Sequence, residues 1–214
     1  MAAAIFLACQ RAGVNTDSSR SIQKIMKSFH WLSASLLLAG LVATTSCAHF
    51  EREPGFVSLF NGKDLTGWGY QSNNFNGKTQ SMDGRYSAHD GILVVHPRDP
   101  RLMQILWTTR EFPKNFILKI DFRAAVNADS GIFIRKPQLQ CRDYLVAGPY
   151  KNLQKYKPQD WNEIVVVVQD NVAHCTCNGE VLEAALKVPA TGPIGLEADR
   201  GQMEYRNIRL KEMP

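Results

Sequence analysis

Four short stretches hold side chains able to do acid–base or binding chemistry, and in each the polar groups recur at every second residue. GPIGLEADRG (192–201) sets Ile194, Leu196 and Ala198 against Gly195, Glu197 and Asp199, the period of a strand with one dry face. Glu197 and Asp199 then share the other face, where a carboxylate serves as a general base or, when protonated, as an acid. FILKIDFRA (116–124) turns Phe116, Leu118, Ile120 and Phe122 inward and leaves Lys119, Asp121 and Arg123 outside. GIFIRK (131–136) places Phe133 and Arg135 outward, a cation beside an aromatic ring. QLQCRD (138–143) buries Leu139 and Cys141 and presents Gln138, Gln140 and Arg142. Glu197, Asp121 and Asp199 are the nominated catalytic groups, with Arg135, Gln138, Gln140 and Lys119 as ligands for a polar substrate. They make one site only if distant strands bring Asp121, Arg135, Gln140 and Glu197 to a common pocket. Otherwise they are solvated sheet faces laced with ion pairs worth little.

The elements that must position these groups are strands throughout. FVSLF (56–60), RYSAHDGILVV (85–95), NEIVVVVQ (162–169), NVAHCTC (171–177) and EVLEA (180–184) join the stretches above, each rich in β-branched or aromatic residues between turn signals. No long helical period appears. Asp90-Gly91, Asp170-Asn171 and Asn178-Gly179 predict tight antiparallel hairpins. Val165 to Val168 is apolar on both faces, which predicts a strand covered above and below. A phase shift between Tyr205 and Ile208 predicts a bulge near Arg206-Asn207. The count and spacing favour an all-β sandwich of two antiparallel sheets. One long connection, DYLVAGPYKNLQKYKPQDW (143–161), carries Tyr144, Tyr150 and Tyr156 with Lys151, Lys155 and Lys157. It reads either as a binding loop that makes Tyr144 a substrate contact or as a packing loop over an edge strand.

The first part of the chain reads as a leader. Residues 1–25 form an upstream extension, and 26–47 a signal peptide: Met26-Lys27, an apolar run from Leu32 to Ala43, then TTSC ending at Cys47. That ending is lipobox-like, so Cys47 is the expected lipidation site, with membrane contact through the lipid anchor only and location in the cell envelope. AHFEREP (48–54) reads as a tether, and 55–213 as one domain. Residues 1–46 hold Arg11, Arg20, Lys24 and Lys27 against Asp17, so without them the totals of 25 basic and 20 acidic residues fall to 21 and 19. A near-neutral domain offers no electrostatic case for nucleic-acid binding. Beyond Cys9 and Cys47, the cysteines are Cys141, Cys175 and Cys177. Alternation separates His174 from Cys175 and Cys177, so buried structural thiols are expected rather than a metal site. His89, His96 and His174 are bases by type alone and fall at turns or outward positions. Trp68, Trp107 and Trp161 read as core before they read as a sugar platform.

SLFNGKDLTGW (58–68), LWTTREFPKNFILKIDFRA (106–124), DSGIFIRK (129–136), QDWNEIVVVV (159–168), NGEVL (178–182) and GPIGLEADRGQMEYRNIRLKE (192–212), in that order, resemble the 3-keto-disaccharide hydrolase domain family. The resemblance implies a concanavalin-like jelly roll, export, and cleavage of glycosides whose sugar is oxidised at carbon three. That ketone acidifies the C2 hydrogen, so a base, a stabiliser for the enolate oxygen and an acid or metal for the leaving oxygen would suffice. A divalent cation held by carboxylates is one way to fill the last two roles. Direct hydrolysis by a carboxylate pair is the other route. The chain departs from the family pattern where Gln138, Leu139 and Gln140 stand in place of Glu, hydrophobic, Gln, and where Glu197 and Asp199 replace Gln and His. An amide is no base, so a non-catalytic carbohydrate-binding module is the alternative to an enzyme.

Overall fold

The computed structural model describes residues 53–71, 73–97, 103–146 and 148–214, and none of these is helical. The expected leader, from the upstream extension through Cys47, and most of the tether lie outside the described residues. Fourteen strands follow in order: β1 (Val57–Ser58), β2 (Trp68–Tyr70), β3 (Asn73–Asn74), β4 (Tyr86–His89), β5 (Ile92–Val95), β6 (Gln104–Thr108), β7 (Phe116–Ala124), β8 (Asp129–Ile134), β9 (Gln138–Arg142), β10 (Asn162–Gln169), β11 (Val172–Cys177), β12 (Glu180–Lys187), β13 (Ile194–Ala198) and β14 (Met203–Glu212). They form two antiparallel sheets. The larger runs β12-β11-β10-β7-β14-β5-β4, with β1 paired to β14, and the smaller runs β3-β2-β6-β13-β8-β9. The molecule is a jelly-roll sandwich.

Alternation places the core between the sheets. Phe116, Leu118, Ile120 and Phe122 of β7, Ile164, Val166 and Val168 of β10, and Tyr205 and Leu210 of β14 are buried on one side of the interior. Leu106 of β6, Ile132 and Ile134 of β8, Leu139 of β9 and Ile194, Leu196 and Ala198 of β13 are buried on the other. Each large apolar side chain so buried contributes about 1.5–3 kcal/mol. The turns use the residues that tolerate a left-handed backbone: φ is 50° and 80° at Asp90-Gly91, 50° and 62° at Asp170-Asn171, and 49° and 82° at Asn178-Gly179. β14 shifts register between Arg206 and Arg209, and Asn207 has φ 51°. The extra residue lets Tyr205 and Ile208 both reach the interior.

Two expectations are corrected. Val165 and Val167 are only half-buried, so β10 is covered by the second sheet on one face alone. At the end of the tether, Glu53 Oε1 accepts from Lys119 Nζ at 2.8 Å, and Arg209 Nε lies 3.5 Å from its Oε2. The tyrosines of the 143–161 connection pack inward, and Tyr144 is a core residue with no exposure to substrate. Its ring meets Phe122 edge-on at 5.9 Å, its hydroxyl donates to the Gln140 carbonyl at 2.9 Å, and Tyr156 stacks on Phe122 at 6.3 Å. The reason is topological. β9 ends the smaller sheet and β10 lies in the larger one, so the chain between them crosses the open end of the sandwich and must plug it. Cys141, Cys175 and Cys177 are free, buried thiols, with burial pushing Cys175 and Cys177 up to about 12.

Removing the plug should cost what a large core truncation costs. Tyr144→Ala is expected to lower unfolding free energy by about 3–5 kcal/mol in urea titrations, whereas Tyr144→Phe, which loses one hydrogen bond, should cost about 1 kcal/mol.

Candidate functional site

The outer face of the smaller sheet is built in rows. Gly195 of β13 pairs with Trp107 of β6 on one side and Phe133 of β8 on the other, and Phe133 pairs with Gln138 of β9. Two residues along the strands, Glu197 pairs with Ile105, and Gly131 pairs with Gln140. Two glycines let their neighbours lie flat across the strands. A Cβ at Gly195 would come 2.7 Å from Trp107 Cζ3, and a Cβ at Gly131 would collide with the Gln138 side chain. The Trp107 ring therefore lies over Gly195, edge-on to Phe133 at 5.4 Å. Gln138 extends over Gly131 and donates from Nε2 to Glu197 Oε2 at 2.5 Å.

Glu197 is 5% exposed. Burial, then the negative charges of Asp199 and Asp129, push its carboxyl up to about 7, against the hydrogen bond from Gln138, which favours the ionised form. Its strand is pinned from below, where Ser130 Oγ donates to the Glu197 carbonyl at 2.6 Å and lies 3.2 Å from Tyr205 Oη. Asp129 is fully engaged. It accepts from Gln140 Nε2 at 2.5 Å, and its Oδ2 lies 3.2 Å from Arg142 and 3.3 Å from Arg200. A neutral-range carboxyl beside a fixed amide is equipped to take a proton from carbon and give it back. Among the described residues no three His, Cys, Asp or Glu side chains gather to hold a metal ion, so no step is assigned to a divalent cation.

Four of the nominated residues meet here: Glu197, Gln138 and Gln140 by direct geometry, and Asp199 through its charge on Glu197. The others do not. Lys119 and Asp121 lie outward on β7 in the larger sheet, with the core between them and Glu197. Lys119 binds Glu53, and Asp121 accepts from Asn207 Nδ2 at 2.7 Å and Arg206 Nε at 3.3 Å. Arg135 does not continue the outward alternation, because its φ of 64° breaks it; it lines the depression beside Trp107 and does not reach Glu197. Its guanidinium donates to the Pro189 and Lys114 carbonyls at 2.7 Å each and covers the Phe116 ring at 5.3 Å. Two site residues were not nominated. Asp129 shares parity with Phe133 in DSGIFIR and could have been found that way. Trp107 reads as core but faces outward; Trp68 is fully buried, and Trp161 is covered by Arg206 at 3.9 Å and Arg123 at 4.8 Å on the other sheet.

Residues 55–211 match the model of the 3-keto-alpha-glucoside-1,2-lyase-like domain, the 3-keto-disaccharide hydrolase family that the motifs resemble. The chain belongs to this family. Two solved structures of candidate glycosyl hydrolases from Parabacteroides distasonis ATCC 8503 resemble the 3-keto-alpha-glucoside-1,2-lyase-like domain in fold. One is 18% identical, with 75% of this chain and 95% of that chain covered and a TM-score of 0.59. The second is 19% identical, with 74% and 99% covered and a TM-score of 0.56. No curated protein matches the sequence. In this 3-keto-alpha-glucoside-1,2-lyase-like domain Gln138 stands on β9, and the carboxyl it contacts comes from β13.

Two outcomes follow from the geometry. Because the folded state holds a proton on Glu197 up to about 7, against about 4.3 in an unfolded chain, stability is full below the unfolded value and falls as pH rises toward 7. Glu197→Gln should therefore unfold at higher temperature than wild type at pH 8, by on the order of 2 kcal/mol, with the gap closing at pH 4. Arg135→Ala, which removes two hydrogen bonds to backbone carbonyls and the cover over the Phe116 ring, should cost about 1–3 kcal/mol in the same melts.

Proposed function

We propose that this protein cleaves the glycosidic bond of 3-keto-glycosides by elimination across carbons one and two, with Glu197 as the base. The observation that carries this reading is a buried carboxyl raised to about 7 on an outer sheet face, held at 2.5 Å by the exposed amide of Gln138. The family description, which names a lyase acting on a 3-keto-alpha-glucoside, supports it. The ketone at C3 acidifies the C2 hydrogen. Ionised Glu197 takes that proton, and the C–H electron pair forms a C2–C3 double bond with the charge on the C3 oxygen. Gln138 retains a second amide N–H, which is the donor assigned to that oxygen. The charge then returns to re-form the ketone, a C1–C2 double bond forms, and the C1–O bond breaks with its electron pair on the leaving oxygen. Water protonates the leaving oxygen. The products are an enone sugar and a free alcohol, and addition of water to the enone completes net hydrolysis.

The leader would deliver this activity to the cell envelope, anchored through Cys47. In that case Cys47→Ser abolishes incorporation of labelled fatty acid and moves the protein out of the membrane fraction; unchanged labelling would remove the anchor from the proposal.

A substrate deuterated at C2 separates elimination from displacement, because elimination loses the label to solvent and displacement at C1 keeps it. The expected result is loss of label, a kcat/KM that rises with pH through about 7, and a Glu197→Gln variant slowed by roughly 10²–10⁴. Retained label would overturn the elimination. Retention of glycan without turnover of any 3-keto-glycoside would instead identify a carbohydrate-binding module.

A further inference from the structure

Beside Glu197, toward the β2–β3 edge, the outer face of the smaller sheet holds two depressions of about 600 and about 480 Å³. Both are bordered by Tyr70, Gln71, Asn73 and Trp107, so the indole is their shared wall. The smaller one also takes in Ile105, the cross-strand partner of Glu197, and carries no charged side chain in its lining. From β13 the strand order is β6, β2, β3, each step about 4.8 Å, so the depressions extend the Glu197 site by roughly 14 Å across the sheet. Volumes of this size are those of small-molecule sites, roughly 300–1,000 Å³.

The lining is uncommitted where a ligand would need it. The side chains of Gln71 and Asn73 and the indole N–H of Trp107 make no hydrogen bond among the described residues, and Gln71 and Asn73 are exposed. Trp107 is held against the sheet by its fit over the bare Gly195 and its edge contact with Phe133, so little ordering cost remains when a ring packs on it. A flat aromatic wall flanked by free amides matches an uncharged polyhydroxylated ring. The larger depression also takes in Glu111, Arg135 and Lys136, of which Arg135 is held by two backbone carbonyls and Glu111 by Thr191.

We propose that these depressions are the subsite for an uncharged leaving sugar, with Trp107 as its stacking platform and Gln71 and Asn73 as hydrogen-bond partners for its hydroxyls. The inference rests on the assignment of Glu197 as the base. It makes the protein selective for disaccharides over glycosides with small leaving groups.

The test compares the full chain with Trp107→Ala, Trp107→Phe and Asn73→Ala, each checked for folding by circular dichroism. The first readout is the ratio of kcat/KM for a 3-keto-disaccharide to that for methyl 3-keto-glucoside. The ratio should fall at least tenfold in Trp107→Ala and less in Trp107→Phe and Asn73→Ala. The second readout is calorimetric binding of the unoxidised disaccharide to Glu197→Gln, which should weaken at least tenfold when Trp107→Ala is added. Cleavage that depends on Glu197 with an unchanged ratio in the folded variants overturns the subsite and spares the base. Trp107-dependent binding without cleavage upholds the subsite and overturns the base. If Trp107→Ala does not fold, an unchanged ratio in both Trp107→Phe and Asn73→Ala overturns the proposal.

Discussion

Because the dry faces of the two sheets meet, every outward side chain belongs to one of two surfaces held about 10 Å apart by packed core. That constraint sorts the polar residues before any of them can do chemistry. Lys119, Asp121 and Arg123 on β7 face one surface, with Arg206 and Glu163 beside them. Glu197, Gln138, Gln140 and Asp129 face the other. The first surface satisfies its charges internally, through Lys119 with Glu53, Arg209 with Glu163 and Arg123 with Glu204. The second surface keeps a carboxyl buried beside an amide and leaves an aromatic ring and two amides uncommitted.

Alternation made the inward and outward sides of each strand legible, and it holds at every position of β7 and β10. What alternation cannot supply is which sheet a strand joins. Asp121 and Glu197 have the same local pattern and lie on opposite surfaces because β7 sits between β10 and β14 while β13 sits between β6 and β8. Arg135 departs for a different reason: one left-handed residue at the end of β8 ends the alternation, and nothing in GIFIRK marks it, so Arg135 borders the depression beside Trp107 instead of joining Glu197. Tyr144 failed because the need to close the sandwich end arises only from the crossing between sheets. Trp107 was legible in principle, since QILWT alternates, but the flanking residues gave no turn signal to define the strand.

The departure at β9 is informative. A glutamine cannot serve as a base, and taken alone Gln138 argues against catalysis. Placed in the sheet, it is the partner of a carboxyl supplied by the strand two places away, so an amide and a carboxyl meet across this face. Asp129, tied to Gln140 and close to two arginines, adds negative potential to Glu197 without competing for the same ligand.

Burial and two neighbouring anions all favour the protonated carboxyl, and a single amide opposes them. That amide reaches its target only across a residue that has no side chain at all. The one contact that favours the ionised carboxylate thus depends on an absent methyl group, a condition that carries no charge, makes no contact and leaves no trace in an inventory of ionisable residues.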